Sequence, residues 1–120
     1  MMRFRRLIIL LSFILVFASG TAHSGDIKKG EALFNDSSLG TNGKSCNTCH
    51  SGGKNIDAGK KTYTILGSTQ DSIEDAVNFC IKMALSGKPV GKDSVEMTNM
   101  VSYLRTLKGK KKMRSVTPGY

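Results

Sequence analysis

Residues 46–50 read CNTCH, in which two cysteines are separated by two residues and a histidine directly follows the second one. Thiols and an imidazole at this spacing serve three chemistries: they bind zinc, exchange electrons as a disulfide, or attach a c-type haem covalently. Each chemistry requires a different fold around the motif. The rest of the chain must therefore distinguish between them.

A zinc site or a redox disulfide would need features that the sequence does not predict. Cys46, Cys49, His50 and Cys80 could formally supply four zinc ligands, but the adjacency of Cys49 and His50 makes joint tetrahedral ligation awkward. A thioredoxin-type disulfide needs strands that alternate with helices, whereas this sequence predicts helices and glycine-rich loops. Both chemistries are disfavoured.

Covalent haem attachment suits the motif better. Two intervening residues place Cys46 and Cys49 on one short turn, from which both thiols reach the vinyl groups of the porphyrin. His50 then projects onto the iron. Such attachment takes place outside the cytoplasm, which also explains two cysteines that do not form a structural disulfide. The motif predicts one haem c, held by Cys46, Cys49 and His50.

The N-terminal residues predict export. Three arginines precede an apolar run over residues 7–17, and small residues follow it. Eleven helical residues span about 16 Å, which is short of a bilayer core of about 30 Å. We predict a signal peptide over residues 1–24, cleaved after Ala22 or Ser24, and a periplasmic protein. An uncleaved N-terminal segment that anchors the chain in the membrane is the alternative.

Size and charge restrict the function further. The chain has 120 residues, with 18 Lys and Arg against 9 Asp and Glu. It has room for one domain, and little room for an enzyme with separate substrate and cofactor lobes. The basic surface predicts redox partner proteins with acidic patches, and the basic, flexible tail at residues 109–120 could equally contact anionic membrane. We expect a monomer with no nucleic-acid partner and no catalytic residues.

Three helices are predicted around the motif. The first covers residues 26–35, with Asp26 as N-cap and with Gly30 and Phe34 on one face. Residues 56–67 are predicted to be a loop that covers one face of the bound group. Each of the two later helices is predicted to begin at an acidic pair and to end at a glycine. The pairs are Asp71 with Glu74 and Asp93 with Glu96, and the glycines are Gly87 and Gly109.

The chain resembles the monohaem cytochrome c family over nearly all of residues 26–108. The resemblance rests on the segments KKGEALFND, LGTNGKSCNTCH and VSYLRTL. It implies an all-α cytochrome c fold over residues 25–108, with about three main helices and long loops wrapped around one covalently bound haem. In that family a glycine and an aromatic residue of the first helix pack against an aromatic residue of the last one. Gly30, Phe34 and Tyr103 match these positions.

The second axial ligand of the iron is less clearly specified. The segment NFCIKMALSGKPVGKDSVEMTNMVSYL is similar to haem domains of thiosulfate dehydrogenases and related sulfur-oxidation cytochromes. In that group a methionine, or the lysine beside it, approaches the iron, and the similarity places Met83 and Lys82 at these positions. We expect Met83 opposite His50, with Lys82 or Met97 as alternatives. Other candidates are Met100, Met113 and Cys80, the last of which is interpreted as a buried apolar thiol.

The resemblance implies a one-electron carrier between redox proteins, not an enzyme. A haem subunit of a thiosulfate-type oxidising enzyme is an alternative, motivated by the segment around Met83. A ligand-binding haem sensor is another, and it would require an open distal position.

Overall fold

The computed structural model describes residues 24–107, so the predictions for residues 1–23 and for the basic tail lie outside the described residues. Four α-helices and one hairpin make up most of this part of the chain. None of the helices within residues 24–107 is long and apolar enough to cross a membrane. The elements are α1 Ile27–Asn35, α2 Cys46–Cys49, β1 Tyr63–Ile65, β2 Ser68–Gln70, α3 Ile73–Ala84 and α4 Val95–Thr106. The predicted helical fold is confirmed.

Helix α1 begins as predicted, because the Asp26 carboxylate accepts a hydrogen bond from the backbone N–H of Lys29 at 3.1 Å. The predicted N-caps of the two later helices, Asp71 and Asp93, are each wrong by one residue. The caps are serines, Ser72 for α3 and Ser94 for α4.

Ser72 caps α3 because its hydroxyl has two partners within the first turn. It accepts the backbone N–H of Asp75 at 3.1 Å and donates to the Asp75 carboxylate at 2.7 Å. Ser94 likewise accepts the backbone N–H of Met97 at 3.1 Å. The predicted end of α3 is also corrected. The helix ends at Ala84, and Ser86 takes the positive φ of 53° that was expected of a glycine.

Helices α1 and α4 cross at a glycine. A Cβ atom on Gly30 would lie 2.7 Å from the Tyr103 Cβ and closer still to the backbone oxygen of Asn99. Beside the crossing, the rings of Phe34 and Tyr103 pack at 5.3 Å between centroids with a tilt of 59°. The Asp26 backbone N–H donates to the Asn99 side-chain oxygen at 2.7 Å. The packing expected of Gly30, Phe34 and Tyr103 is present.

The segment predicted to be loop, residues 56–67, contains strand β1 and the turn of a hairpin, whose second strand β2 follows directly. Strands β1 and β2 pair antiparallel, with Tyr63 opposite Gln70 and Ile65 opposite Ser68. Leu66 and Gly67 form the connection, both with positive φ, 50° and 79°. Two-residue hairpin turns need this geometry, and leucine rarely adopts it. The loop prediction failed because only one of the two turn residues is of a type that signals a turn.

The segment that leads into the cysteine motif is tied to the C-terminal end of α3. Thr41 donates its backbone N–H to the Leu85 carbonyl at 2.9 Å and its hydroxyl to the Ser86 carbonyl at 2.8 Å. The side-chain amide of Asn42 donates to the Ala84 carbonyl at 2.9 Å. Carbonyls at a helix end lack partners within the helix. Here the chain before the motif supplies them and fixes the motif relative to α3.

Candidate functional site

An apolar cleft opens between the cysteine motif and helix α3. Its walls come from α2 and the residues that follow it, from β1 and from α3, while Phe34, Met100 and Leu104 contribute from α1 and α4. Its cavity volume is about 150 Å³, and the cleft opens to solvent. The lining is mainly apolar, so it suits an apolar ligand or cofactor.

Both cysteines of the motif line this cleft from one helical turn. Helix α2 consists of Cys46–Cys49 alone. Ser45 precedes it, and its backbone N–H donates to the Thr48 hydroxyl at 2.9 Å, which closes the turn. The backbone N–H of His50 donates to the Cys46 carbonyl at 2.9 Å. The prediction that the two thiols share a short turn is confirmed.

His50 also lines the cleft, and its ring is oriented by a hydrogen bond. Its Nδ1 lies 2.9 Å from the backbone oxygen of Lys54. A carbonyl oxygen only accepts, so Nδ1 carries the proton, and Nε2 of the neutral ring keeps its lone pair. Gly52 and Gly53, at φ values of 60° and 82°, turn the chain so that the Lys54 carbonyl reaches the ring. Histidines that bind metals are commonly oriented in this way.

The thiols of Cys46, Cys49 and Cys80 are all free and all line the cleft. Burial, followed by the nearby Cys80 thiol, raises the pKa of Cys46 to about 11. Burial also raises the pKa of Cys80. A redox-active dithiol needs a thiol with a lowered pKa. The environment of Cys46 and Cys80 therefore disfavours a thioredoxin-type function.

The geometry also disfavours the zinc alternative. Among residues 24–107, no three side chains of His, Cys, Asp or Glu are grouped so that they could hold a metal ion between them. The motif and Cys80 instead line the same mainly apolar cleft.

The candidates for the second axial ligand lie in different environments. The side chain of Met83 is 55% exposed, that of Lys82 is also exposed, and neither lines the cleft. Met97 is fully buried in the core and does not line the cleft. Met100 is 3% exposed and reaches the cleft from α4. Met113 lies outside the described residues. The assignment of Met83 stays a prediction.

Cys80 lines the cleft on the wall that faces the motif. Five residues of α3 form this wall, spaced as one helical stripe: Ile73, Ala76, Val77, Cys80 and Ala84. The same stripe is visible in the sequence, where it also includes Met83. What the sequence could not show is which edge of the stripe faces the motif.

Tyr63 is a site residue that the sequence analysis left in a loop. Its ring lines the cleft, and within the described part of the chain its buried hydroxyl finds no acceptor, although the nearby Lys60 backbone acts to lower its pKa. Burial raises the pKa of Tyr63, so the group stays a donor at neutral pH. A buried donor without a partner costs about 1–3 kcal/mol. The hydroxyl is therefore suited to a ligand that carries an acceptor such as a carboxylate.

Comparisons of the chain with protein-family models, curated proteins and solved structures found no match.

Proposed function

We propose that this protein is a monohaem c-type cytochrome that carries single electrons between redox proteins. The observation that carries the proposal is the arrangement of the motif. Cys46, Cys49 and His50 line one apolar cleft, and the Lys54 carbonyl holds the His50 ring with Nε2 free to bind iron. A lone CxxCH match could arise by chance, whereas a match whose two cysteines and histidine all line one apolar cleft is far more specific.

The residues of the cleft fit the parts of haem c. The Cys46 and Cys49 thiols would hold the porphyrin as thioethers of its two vinyl groups, and His50 Nε2 would bind the iron. The Tyr63 hydroxyl, which has no partner within residues 24–107, suits a propionate oxygen. The apolar walls exclude water from the porphyrin faces, which helps to set the reduction potential. When bound, haem c supplies the one-electron couple between ferric and ferrous iron.

The surrounding fold supports the same proposal. The crossing of α1 and α4 at Gly30, with Phe34 packed on Tyr103, is the packing that the resemblance to cytochromes c implies. We propose that residues 25–108 form a cytochrome c domain and that the mature protein is periplasmic and monomeric.

The charge of the surface supports acidic redox partners. All six lysines between residues 28 and 61 are exposed: Lys28, Lys29, Lys44, Lys54, Lys60 and Lys61. Such a surface attracts acidic patches over a distance of about one Debye length, roughly 8 Å at physiological ionic strength. Association with an acidic donor or acceptor should therefore slow as salt is added.

A ligand-binding haem sensor is the second candidate, because the exposed side chain of Met83 leaves the distal side without the expected thioether. A sensor would bind carbon monoxide in the ferrous state, with a change in the Soret band. An electron carrier with two protein ligands would show no such change.

Covalent haem is tested by producing the full chain with haem-attachment machinery and staining a denaturing gel for haem. The wild type should retain haem, and the double variant Cys46→Ser/Cys49→Ser should lose it. Cys80→Ser is the matched control, because it removes a cysteine of the same cleft that forms no thioether. A wild-type chain that releases all its haem on denaturation would refute the proposal.

A further inference from the structure

We propose that residues 60–71, which contain the β1–β2 hairpin, form a lid on the cleft that opens independently of the rest of the fold and that Tyr63 latches when haem c is bound. The inference rests on the proposed function, since the latch needs the haem. It goes beyond that function by assigning a moving part to the protein and by naming the group that holds it closed.

The lid is not tied to the helices by hydrogen bonds. Strand β1 pairs with β2, and the side-chain amide of Gln70 donates to the Ser68 hydroxyl at 2.9 Å. Among residues 24–107, no hydrogen bond joins the segment 60–71 to α1, α2, α3 or α4. The chain before the motif differs, because Thr41 and Asn42 bond it to the end of α3. The hairpin can therefore move while the motif and α3 stay in place.

Two side chains supply the contact between the hairpin and the cleft. Tyr63 and Ile65 line the cleft and are half-buried, whereas Thr64 between them is exposed. Leu66 in the turn is 82% exposed, and the side chains of β2 are all polar. A segment with few buried apolar contacts opens locally at small cost. Since an isolated two-stranded hairpin is at best marginally stable in water, its backbone pairing is lost when the lid opens.

Both ends of the lid are fixed. Ala58, just before it, is buried in the core, and Ser72, just after it, caps α3. Gly59 lies between Ala58 and the lid. Within the described part of the chain, a Cβ atom on Gly59 would meet only the Asp57 carboxylate, at 3.3 Å. No other element is packed on Gly59, so the lid can turn about this residue.

The size of the cleft also requires a wall to move. Its cavity volume is about 150 Å³, whereas ligand pockets measure roughly 300–1,000 Å³. Haem c contains a large, flat porphyrin. The motif and α3 are joined through Thr41 and Asn42, so the room for the porphyrin must come from the side of the hairpin.

The Tyr63 hydroxyl supplies the latch. It is buried and finds no acceptor within residues 24–107, so closure of the lid over an empty cleft carries a cost. A propionate oxygen of haem would accept its hydrogen bond and remove that cost. A ligand shifts a conformational equilibrium only if it interacts differently with the two states, and this hydrogen bond forms only in the closed one. Its loss should raise the open fraction about 5- to 150-fold.

The test is native-state hydrogen exchange of the full-length holoprotein at low urea concentrations. The amides of the β1–β2 pairing should exchange faster than the Thr41 amide and the amides of α4, with little dependence on urea, because the lid opens without unfolding the core. Tyr63→Phe should speed exchange of the hairpin amides about 5- to 150-fold and leave the Thr41 amide unchanged. Tyr103→Phe is the matched control, because it removes a hydroxyl outside the lid and should leave the hairpin amides unchanged.

Two results would overturn the inference while covalent haem is retained. One is a wild type whose hairpin amides exchange only with global unfolding, at the rate and urea dependence of the α4 amides. The other is a Tyr63→Phe holoprotein whose hairpin amides exchange at the wild-type rate. If Tyr63→Phe does not accumulate, the wild-type pattern still decides whether the lid opens alone. A wild type without covalent haem on a denaturing gel would instead overturn the proposed function, and the latch with it.

Discussion

Replacing Gly30 by alanine should weaken the crossing of α1 and α4. The added Cβ would lie 2.7 Å from the Tyr103 Cβ and 2.8 Å from the backbone carbon of Asn99. Carbon atoms in contact are normally about 3.5–4.0 Å apart. Because the Asn99 atoms belong to the helix backbone, no side-chain rotation relieves the overlap. The two helices must separate by about 1 Å.

The magnitude follows from two opposing effects. Overpacking a well-packed contact typically costs about 1–3 kcal/mol, and an overlap with helix backbone belongs at the upper end of that range. Separation also strains the contact between Phe34 and Tyr103 and the hydrogen bond from Asp26 to Asn99. Alanine favours the helix over glycine by about 1 kcal/mol, which offsets part of the cost. We expect a net loss of about 2 kcal/mol.

Urea unfolding of the holoprotein, followed by far-ultraviolet circular dichroism, measures this loss. With a slope of about 2 kcal/mol/M, the midpoint should fall by about 1 M. Gly91→Ala is the matched control, because a Cβ there would meet its nearest atom at 3.5 Å and the residue has no positive φ. The reasoning is refuted if Gly30→Ala unfolds at the same urea concentration as Gly91→Ala.

Three further predictions concern the cleft and the wall that faces the motif. Tyr63→Phe should stabilise the haem-free chain by about 1–3 kcal/mol, because it removes a buried donor that has no acceptor. The same substitution should destabilise the holoprotein. Thermal unfolding of both forms measures the two effects, and a change of the same sign in both would contradict the prediction. Asn78→Ala removes two hydrogen bonds of 2.9 Å to the Val90 backbone and should cost about 2 kcal/mol in urea unfolding, against little for the exposed Asn35→Ala. Burial raises the pKa of Cys46 to about 11 from its usual 9.0, so the folded haem-free chain holds this proton more tightly than the unfolded chain does. Its stability should therefore fall by on the order of 2 kcal/mol between about pH 9 and pH 11, and a Cys46→Ser chain that loses as much over that range would refute this.

Much of the fold follows from local sequence rules, and the failures have local causes. The Asp26 cap was predicted because no competing residue stands beside it. At the start of α3, Asp71 and Ser72 are adjacent and are equally good caps. Ser72 is the N-cap, because its hydroxyl accepts the backbone N–H of Asp75 and donates to the Asp75 carboxylate. That preference depends on three-dimensional geometry and not on residue type.

The residues of the site likewise fall into those that the sequence places correctly and those whose placement depends on packing. Cys46, Cys49 and His50 lie within five residues, so their spacing alone places them on one turn. Which residues form the opposite wall depends on how α3 is rotated about its axis. Packing of α3 against the core sets that rotation. The sequence places Cys80 and Met83 on the same stripe, and a rotation of about 60° separates a residue that faces the motif from one that faces solvent. Tyr63 was missed because its position depends on a hairpin whose turn includes the unusual Leu66.

The hydrogen bonds from Thr41 and Asn42 to the end of α3 have a consequence for how the protein is assembled. They join the two walls of the cleft through the polypeptide itself and so help to fix the spacing between the walls. A haem bound there, as proposed, would meet walls already held together, so less conformational entropy would be lost at attachment. The walls should also open together as one cooperative unit, with matched hydrogen-exchange rates for the Thr41 amide and the last turn of α3. Such a framework would keep the surroundings of the iron nearly unchanged as it gains and loses an electron.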